Sequence, residues 1–395
     1  MPSSPAADPT DRQLRRARFA TRVQFYAFGF ITGSWGTHVP SAKAHYGLSE
    51  GQLSIALLAA ALGAVLCLLR AGLIVEWLGP RRVTQVAGIT LCVSLASVLL
   101  PSSGTGAPLA MLPLVLLLGV FGASTALFDV AINAEGSLLE TRSGLKVMSG
   151  FHGMWSLGAM TGAGVGGLLL RAQVPALWQL TGACAAALLL MLWVSARMLP
   201  EHPVVEQEAG DGPRRRWTGL LVLLGLLGAA GLVAEGAIYD WSVLWVVQDL
   251  QQDQSVGAAG YAAFAGAMAL TRFAGDWLRT HIPAPRLLAG SGLLAAAAMS
   301  TALLAHSAWV AVPALALVGA GLANVVPILF MAASRAPGVA PAAGIAAVSS
   351  LGYLGFVAGP PLIGGVAHAT SLTGGLTVLV AAALLMAWGA RRLPS

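Results

Sequence analysis

Apolar runs of about twenty residues, separated by short polar joints, recur along the whole 395-residue chain. A helix rises 1.5 Å per residue, so about twenty such residues cross a hydrocarbon core of ~30 Å. The pattern predicts twelve spans, six at 19–40, 49–69, 83–100, 108–138, 145–170 and 176–198, and six at 217–247, 255–278, 284–305, 309–333, 341–367 and 371–391. The longest polar interruption after the N-terminus runs from Pro200 to Arg216 and holds Glu201, Glu206, Glu208, Asp211 and the triplet Arg214, Arg215, Arg216. The expected organisation is a disordered cytoplasmic tail (1–18), a six-helix bundle (19–198), a cytoplasmic linker (199–216) and a second six-helix bundle (217–392). The fold class is therefore an all-α integral membrane protein.

Composition supports lipid as the solvent. Hydrophobic residues make up 57% and charged residues only 10%, whereas a soluble domain carries about 25% charged residues. With the N-terminus inside, the outer loops contain only Lys43 and Arg171 of the 22 Lys and Arg residues. That asymmetry fits the positive-inside rule. It predicts an inner-membrane protein with both termini cytoplasmic, and it reads the net charge of +6 as topology rather than nucleic-acid binding. Cys67, Cys92 and Cys184 all fall in apolar runs and read as small packing residues. There is no phosphate-binding loop, nucleophile elbow or His-Cys metal spacing, so neither an ATP-driven pump, an enzyme, a cofactor nor a metal is expected.

The halves echo one another at an offset of about half the chain, as parallel transporter repeats do. Arg70, Gly72, Glu76, Gly79 and Arg81 follow span 2, and Arg272, Gly275, Asp276 and Arg279 follow span 8. Leu157-Gly158 precedes Gly162, Gly166 and Gly167 in span 5, as Leu354-Gly355 precedes Gly359, Gly364 and Gly365 in span 11.

The stretch from Gly72 through Glu76 and Gly79 to Arg81 and Arg82 resembles the major facilitator signature between helices 2 and 3, with Glu76, Trp77 and Pro80 departing from its residue types. A narrower resemblance rests on Asp129 to Gly136, Phe151 to Gly158, Asp240-Trp241-Ser242 and Asn324 to Phe330. These segments look like a subgroup of uncharacterised bacterial inner-membrane transporters related to the fucose permeases. The resemblance implies twelve helices in the major facilitator fold and a functional acid at Asp129 with Asn133 four residues on. It also implies a substrate-facing position near His152, and a cytoplasmic gate built from Gly72, Glu76, Gly79, Arg81, Arg272 and Asp276. The acid that fucose permeases carry on span 1 is missing from Trp35-Gly36-Thr37-His38-Val39-Pro40.

The residues themselves point the same way. An ionisable group in hydrocarbon costs several kcal/mol and marks a functional site by default. Asp129 and Asn133 share one helix face, with His152 at similar depth on the next span. Glu235 lies between glycines near the middle of span 7, and Asn324 precedes the kinking Pro327 in span 10. Trp155 and Tyr353 can form apolar walls. Each has a structural alternative: an interhelix hydrogen bond for Asp129 and His152, a helix-end acid for Asp240, kink satisfaction for Asn324. Spans 1, 4, 5, 7, 10 and 11 are expected to line a central cavity. The leading functional reading is a secondary active transporter, monomeric in the lipid bilayer, moving a small-molecule solute by alternating access with proton coupling through Asp129. The competing readings are efflux of an amphipathic or aromatic compound and a non-transporting sensor or assembly partner.

Overall fold

The computed structural model describes residues 10–100, 111–199, 218–339 and 341–393; the side chains of Asp276, Pro341 and Ala342, residues 1–9 of the expected tail and the linker Pro200–Arg216 lie outside the described residues. Every described element is helical: α1 (Asp11–Tyr46), α2 (Glu50–Leu78), α3 (Pro80–Ala96), α4 (Leu112–Ser143), α5 (Met148–Arg171), α6 (Ala176–Ser195), α7 (Gly219–Gln248), α8 (Gln254–Phe273), α9 (Gly275–His281), α10 (Ala284–Ala305), α11 (Ala308–Leu322), α12 (Val325–Ser334), α13 (Pro341–Ala369), α14 (Leu372–Gly375) and α15 (Thr377–Ala390). Counting α11 with α12 and α14 with α15, and setting the short α9 aside, these make twelve spans. Nine are long and apolar enough to cross a membrane on those grounds alone. The other three, α1, α3 and α8, pack within the bundles.

Local chemistry sets the boundaries. Thr10 with Gln13, and Ser49 with Gln52, form capping boxes that start α1 and α2. Gly47 ends α1 in the left-handed region, at φ 61°. The first box places residues 11–18 in helix rather than in the disordered tail expected from their polarity, because Leu14 and Ala17 of that segment are buried. Span 8 stops at Phe273, and α9 follows as a separate turn. Span 10 is broken at Asn324. Pro327 has no N–H to offer the carbonyl four residues earlier, so the ladder fails there.

The two bundles repeat one packing scheme. The pair α1 with α5 recurs as α7 with α13, α2 with α4 as α8 with α11, and α3 with α6 as α10 with α15. Glycines let the first pair touch backbone to backbone. A Cβ at Gly29, Gly33, Gly158 or Gly162 would collide with a carbonyl of the facing helix, and one at Gly355 would strike Ala229 O in the second bundle.

Between bundles, α5 and α8 are joined along their length: Gly167 faces Ala258, Gly266 faces Met160, and Gly153 leaves room for the Phe273 ring. Further joints lie at the face opposite the start of α1. Gln254 Nε2 donates to Thr37 O at 2.7 Å and to Ser41 Oγ at 2.9 Å. Ser54 Oγ donates to Pro360 O at 2.8 Å. The bundles thus close at that far face and enclose a space that opens toward the face where α1 begins.

Gly162→Leu should therefore destabilise the first bundle by about 3 kcal/mol or more, while Gly164→Leu, whose position meets nothing within 4 Å, should fold normally. Thermal unfolding and size-exclusion profiles of both variants in detergent check this.

Candidate functional site: the cavity between the bundles

A cavity of about 970 Å³ lies between the bundles. Asp129, Asn133, His152, Trp155, Glu235, Asn324 and Tyr353 all line it. Spans 1, 4, 5, 7, 10 and 11 contribute as expected, joined by Leu57 to Leu68 of α2 and by Arg272 of α8. Most of the wall is apolar or aromatic, including Phe28, Trp35, Phe121, Phe330 and Phe356.

On the α4 side, Asn133 Nδ2 donates to Asp129 Oδ1 at 3.0 Å and to its main-chain carbonyl at 2.9 Å. The i, i+4 spacing brings amide and acid together on one face. No basic group lies within ion-pair distance of Asp129 among the described residues. His152, on α5, meets the edge of Phe25 with ring centroids 5.3 Å apart and an interplanar angle of 72°. Tyr353 stands on α13 beside Phe356, at 6.3 Å between centroids.

The opposite wall holds an ion pair. Arg272 Nη2 lies 3.5 Å from Glu235 Oε1, and the two side chains are only 14% and 10% exposed. Tyr239 Oη donates to the same Glu235 oxygen at 2.6 Å. Arg272 Nη1 donates to Ser156 Oγ at 2.6 Å, a bond from the second bundle to the first. Ser156 Oγ in turn donates to His152 O at 3.3 Å, which leaves its lone pairs for the guanidinium. The guanidinium also stands 5.6 Å from the Trp155 ring centroid, and Trp155 packs against Tyr239 edge-on at 5.7 Å.

The loop echo after span 8, which Arg272 opens, groups it with the expected gate. The structure places it in the last turn of α8, in the cavity, paired with Glu235. The available signal was an arginine inside an apolar run, which by itself marks a buried functional cation. Arg279, which the loop echo also contained, reaches the cavity too. It donates to Asn324 Oδ1 at 3.2 Å and to Ser149 Oγ at 3.4 Å. Asn324 thus serves the helix break and faces the cavity at once. Glu135 points away from the cavity and caps Leu199 N at 2.9 Å.

The sequence profile described as Major Facilitator Superfamily matches residues 136–360. An uncharacterised MFS-type transporter of Yersinia pestis is 32% identical over 355 residues, which cover 90% of each chain. The chain belongs to the major facilitator superfamily. Among solved structures, a variant of the nucleoside transporter NupG aligns with a TM-score of 0.74 at 13% identity, covering 97% of this chain and 100% of that one. FucP in its outward conformation aligns at 0.66 and 15%, with the same coverage. At such identities these two likenesses show a shared fold. The protein is a multi-pass membrane protein of a family that carries small solutes.

In this superfamily member the loop signature sits where α2 meets α3. Gly79 takes φ 78°, a conformation a side chain rarely adopts, and Pro80 opens α3 at once. Gly72 and Glu76 are exposed, and Gly72 meets nothing within 4 Å. Arg81 is half-buried. The Asp276 side chain lies outside the described residues.

Removing one member of a buried pair leaves an uncompensated charge. Glu235→Gln should therefore cost more stability in the native chain than in an Arg272→Gln background. A double-mutant cycle by SDS-titrated unfolding should give a coupling of about 1–3 kcal/mol.

Proposed function

We propose that the protein is an inner-membrane carrier that moves its solute by alternating access and draws on a proton gradient through Asp129. The supporting observation is Asp129 itself: a carboxylate lining the cavity between two repeated bundles, held by an amide and, among the described residues, without a basic partner. Such a group is stable in a low-dielectric setting when it takes up a proton or when water reaches it, and alternating access exposes it to the two sides in turn. FucP, which shares the fold, is a fucose–proton symporter. The second titrating group is His152, one helix away on the same wall system, whose side chain type ionises near neutral pH. Glu76 and Asp276, in the equivalent loops of the two halves, act as gate residues. They close the cytoplasmic side when the cavity opens outward, together with Gly72, Gly79 and Arg81.

Coupling requires that protonation and solute binding favour the two states unequally. Asp129→Asn should abolish accumulation driven by a pH gradient in proteoliposomes while counterflow exchange continues. His152→Gln should shift the pH optimum. Full gradient-driven accumulation by Asp129→Asn would overturn the assignment and move the proton site to Glu235, the acid on the opposite wall.

Loop charges place the start of α1 on the cytoplasmic side, so the cavity described above opens inward. In intact cells an impermeant thiol reagent should label Gln252→Cys, at the closed far face, and spare Thr141→Cys. The reverse labelling would invert the topology.

A further inference from the structure

The guanidinium of Arg272 is held but far from saturated. Arginine offers five N–H donors in a planar fork. Among the described residues one of these makes a hydrogen bond, to Ser156 Oγ at 2.6 Å. The contact with Glu235 is a single-atom ion pair at 3.5 Å, and the oxygen concerned already accepts from Tyr239. Glu235 is therefore not a bidentate partner. None of the Arg272 nitrogens is among the sealed polar atoms that lack a partner, so the remaining donors open on the cavity. Beside them stand the Trp155 face and Tyr239.

We propose that the solute bears a carboxylate that docks on the free edge of the Arg272 guanidinium, with its apolar or aromatic body against Trp155 and Tyr239. This rests on reading the cavity as the solute site. A carboxylate is planar, matches the guanidinium fork and forms charge-assisted bonds of a kind that Glu235 does not complete. Water fills those donors when the site is empty. The solute carboxylate replaces that water and competes with Glu235 for the same cation. Because Arg272 also holds Ser156 of the other bundle, the carboxylate binds at the joint between α5 and α8, where its presence bears on how the bundles sit together. The acids on the cavity wall, Asp129 and Asp240, would instead hold an amine, and that alternative is decided by the same measurement.

The test is equilibrium binding to the purified full-length chain in detergent at pH 7, without a gradient, followed by tryptophan fluorescence and thermal shift. The probes are benzoate, phenylacetate and indole-3-acetate, their primary amides, and benzylamine, phenethylamine and tryptamine. At least one carboxylate should bind, with its amide about tenfold weaker or more. Glu235→Gln, which removes the competitor and leaves Arg272 in place, should strengthen carboxylate binding several-fold. Arg272→Gln in the Glu235→Gln background, a pair without buried charge, should return a folded protein that has lost that binding by about tenfold or more. Arg272→Lys, which keeps the charge but not the fork, should fall between. Equal binding of acid and amide overturns the proposal. So does preference for the amines, carboxylate binding unchanged by the loss of Arg272, or failure of every carboxylate to bind. Proton coupling through Asp129 is judged in the gradient assay alone, so each reading can fail without the other.

Discussion

A charge inside a membrane-spanning protein persists only where other groups replace the water it has lost. Here that constraint converges on Arg272. Its guanidinium is shared between Glu235 of α7, Ser156 of α5 and the Trp155 face. It is therefore both the main electrostatic centre of the second bundle's cavity wall and a direct bond to the first bundle. The neighbouring Phe273 fills the space that Gly153 leaves open. Polar and apolar contacts thus hold α8 to α5 at the same level, and this seam is what the remaining interbundle geometry turns on.

The seam explains the shape of the cavity. With α5 and α8 in contact along their length, and α1, α2, α8 and α13 tied together at the far face, space remains on the other side of the molecule between α2, α4, α12 and α13. The bundles themselves are poorly deformable. Their helices approach through glycine at backbone distance in α1 with α5 and in α7 with α13, where close packing leaves little room to slide. The bonds that close the far face between the bundles are polar: Gln254 with Thr37 and Ser41, Ser54 with the Pro360 carbonyl.

The broken span 10 adds a second link. Asn324 sits at the break, and Gly275 lets it approach closely; a Cβ there would come within 2.6 Å of Asn324 Oδ1. Arg279 joins this point to Ser149 at the start of α5. A helix discontinuity, a short turn and a basic side chain thereby connect the two bundles on the open side. They do so at the edge of the cavity.

The sequence by itself determined the twelve spans, the two-bundle repeat and most of the cavity. Apolar length, glycine spacing and isolated polar groups such as Asp129, Asn133, His152 and Glu235 are local signals, and the bilayer makes each of them costly to place anywhere else. Helix ends at Thr10 and Ser49 were equally local, although the polar composition of residues 11–18 hid the helix that their capping box begins. Tertiary structure alone decided which charge meets which. Arg272 lies 37 residues from Glu235 and 116 from Ser156 along the chain, and its loop echo with the first half pointed to a gate instead of the cavity. Pairing between distant helices depends on their rotation and depth. Those are set by the sum of packing contacts across the bundle, and no short stretch of residues carries that sum.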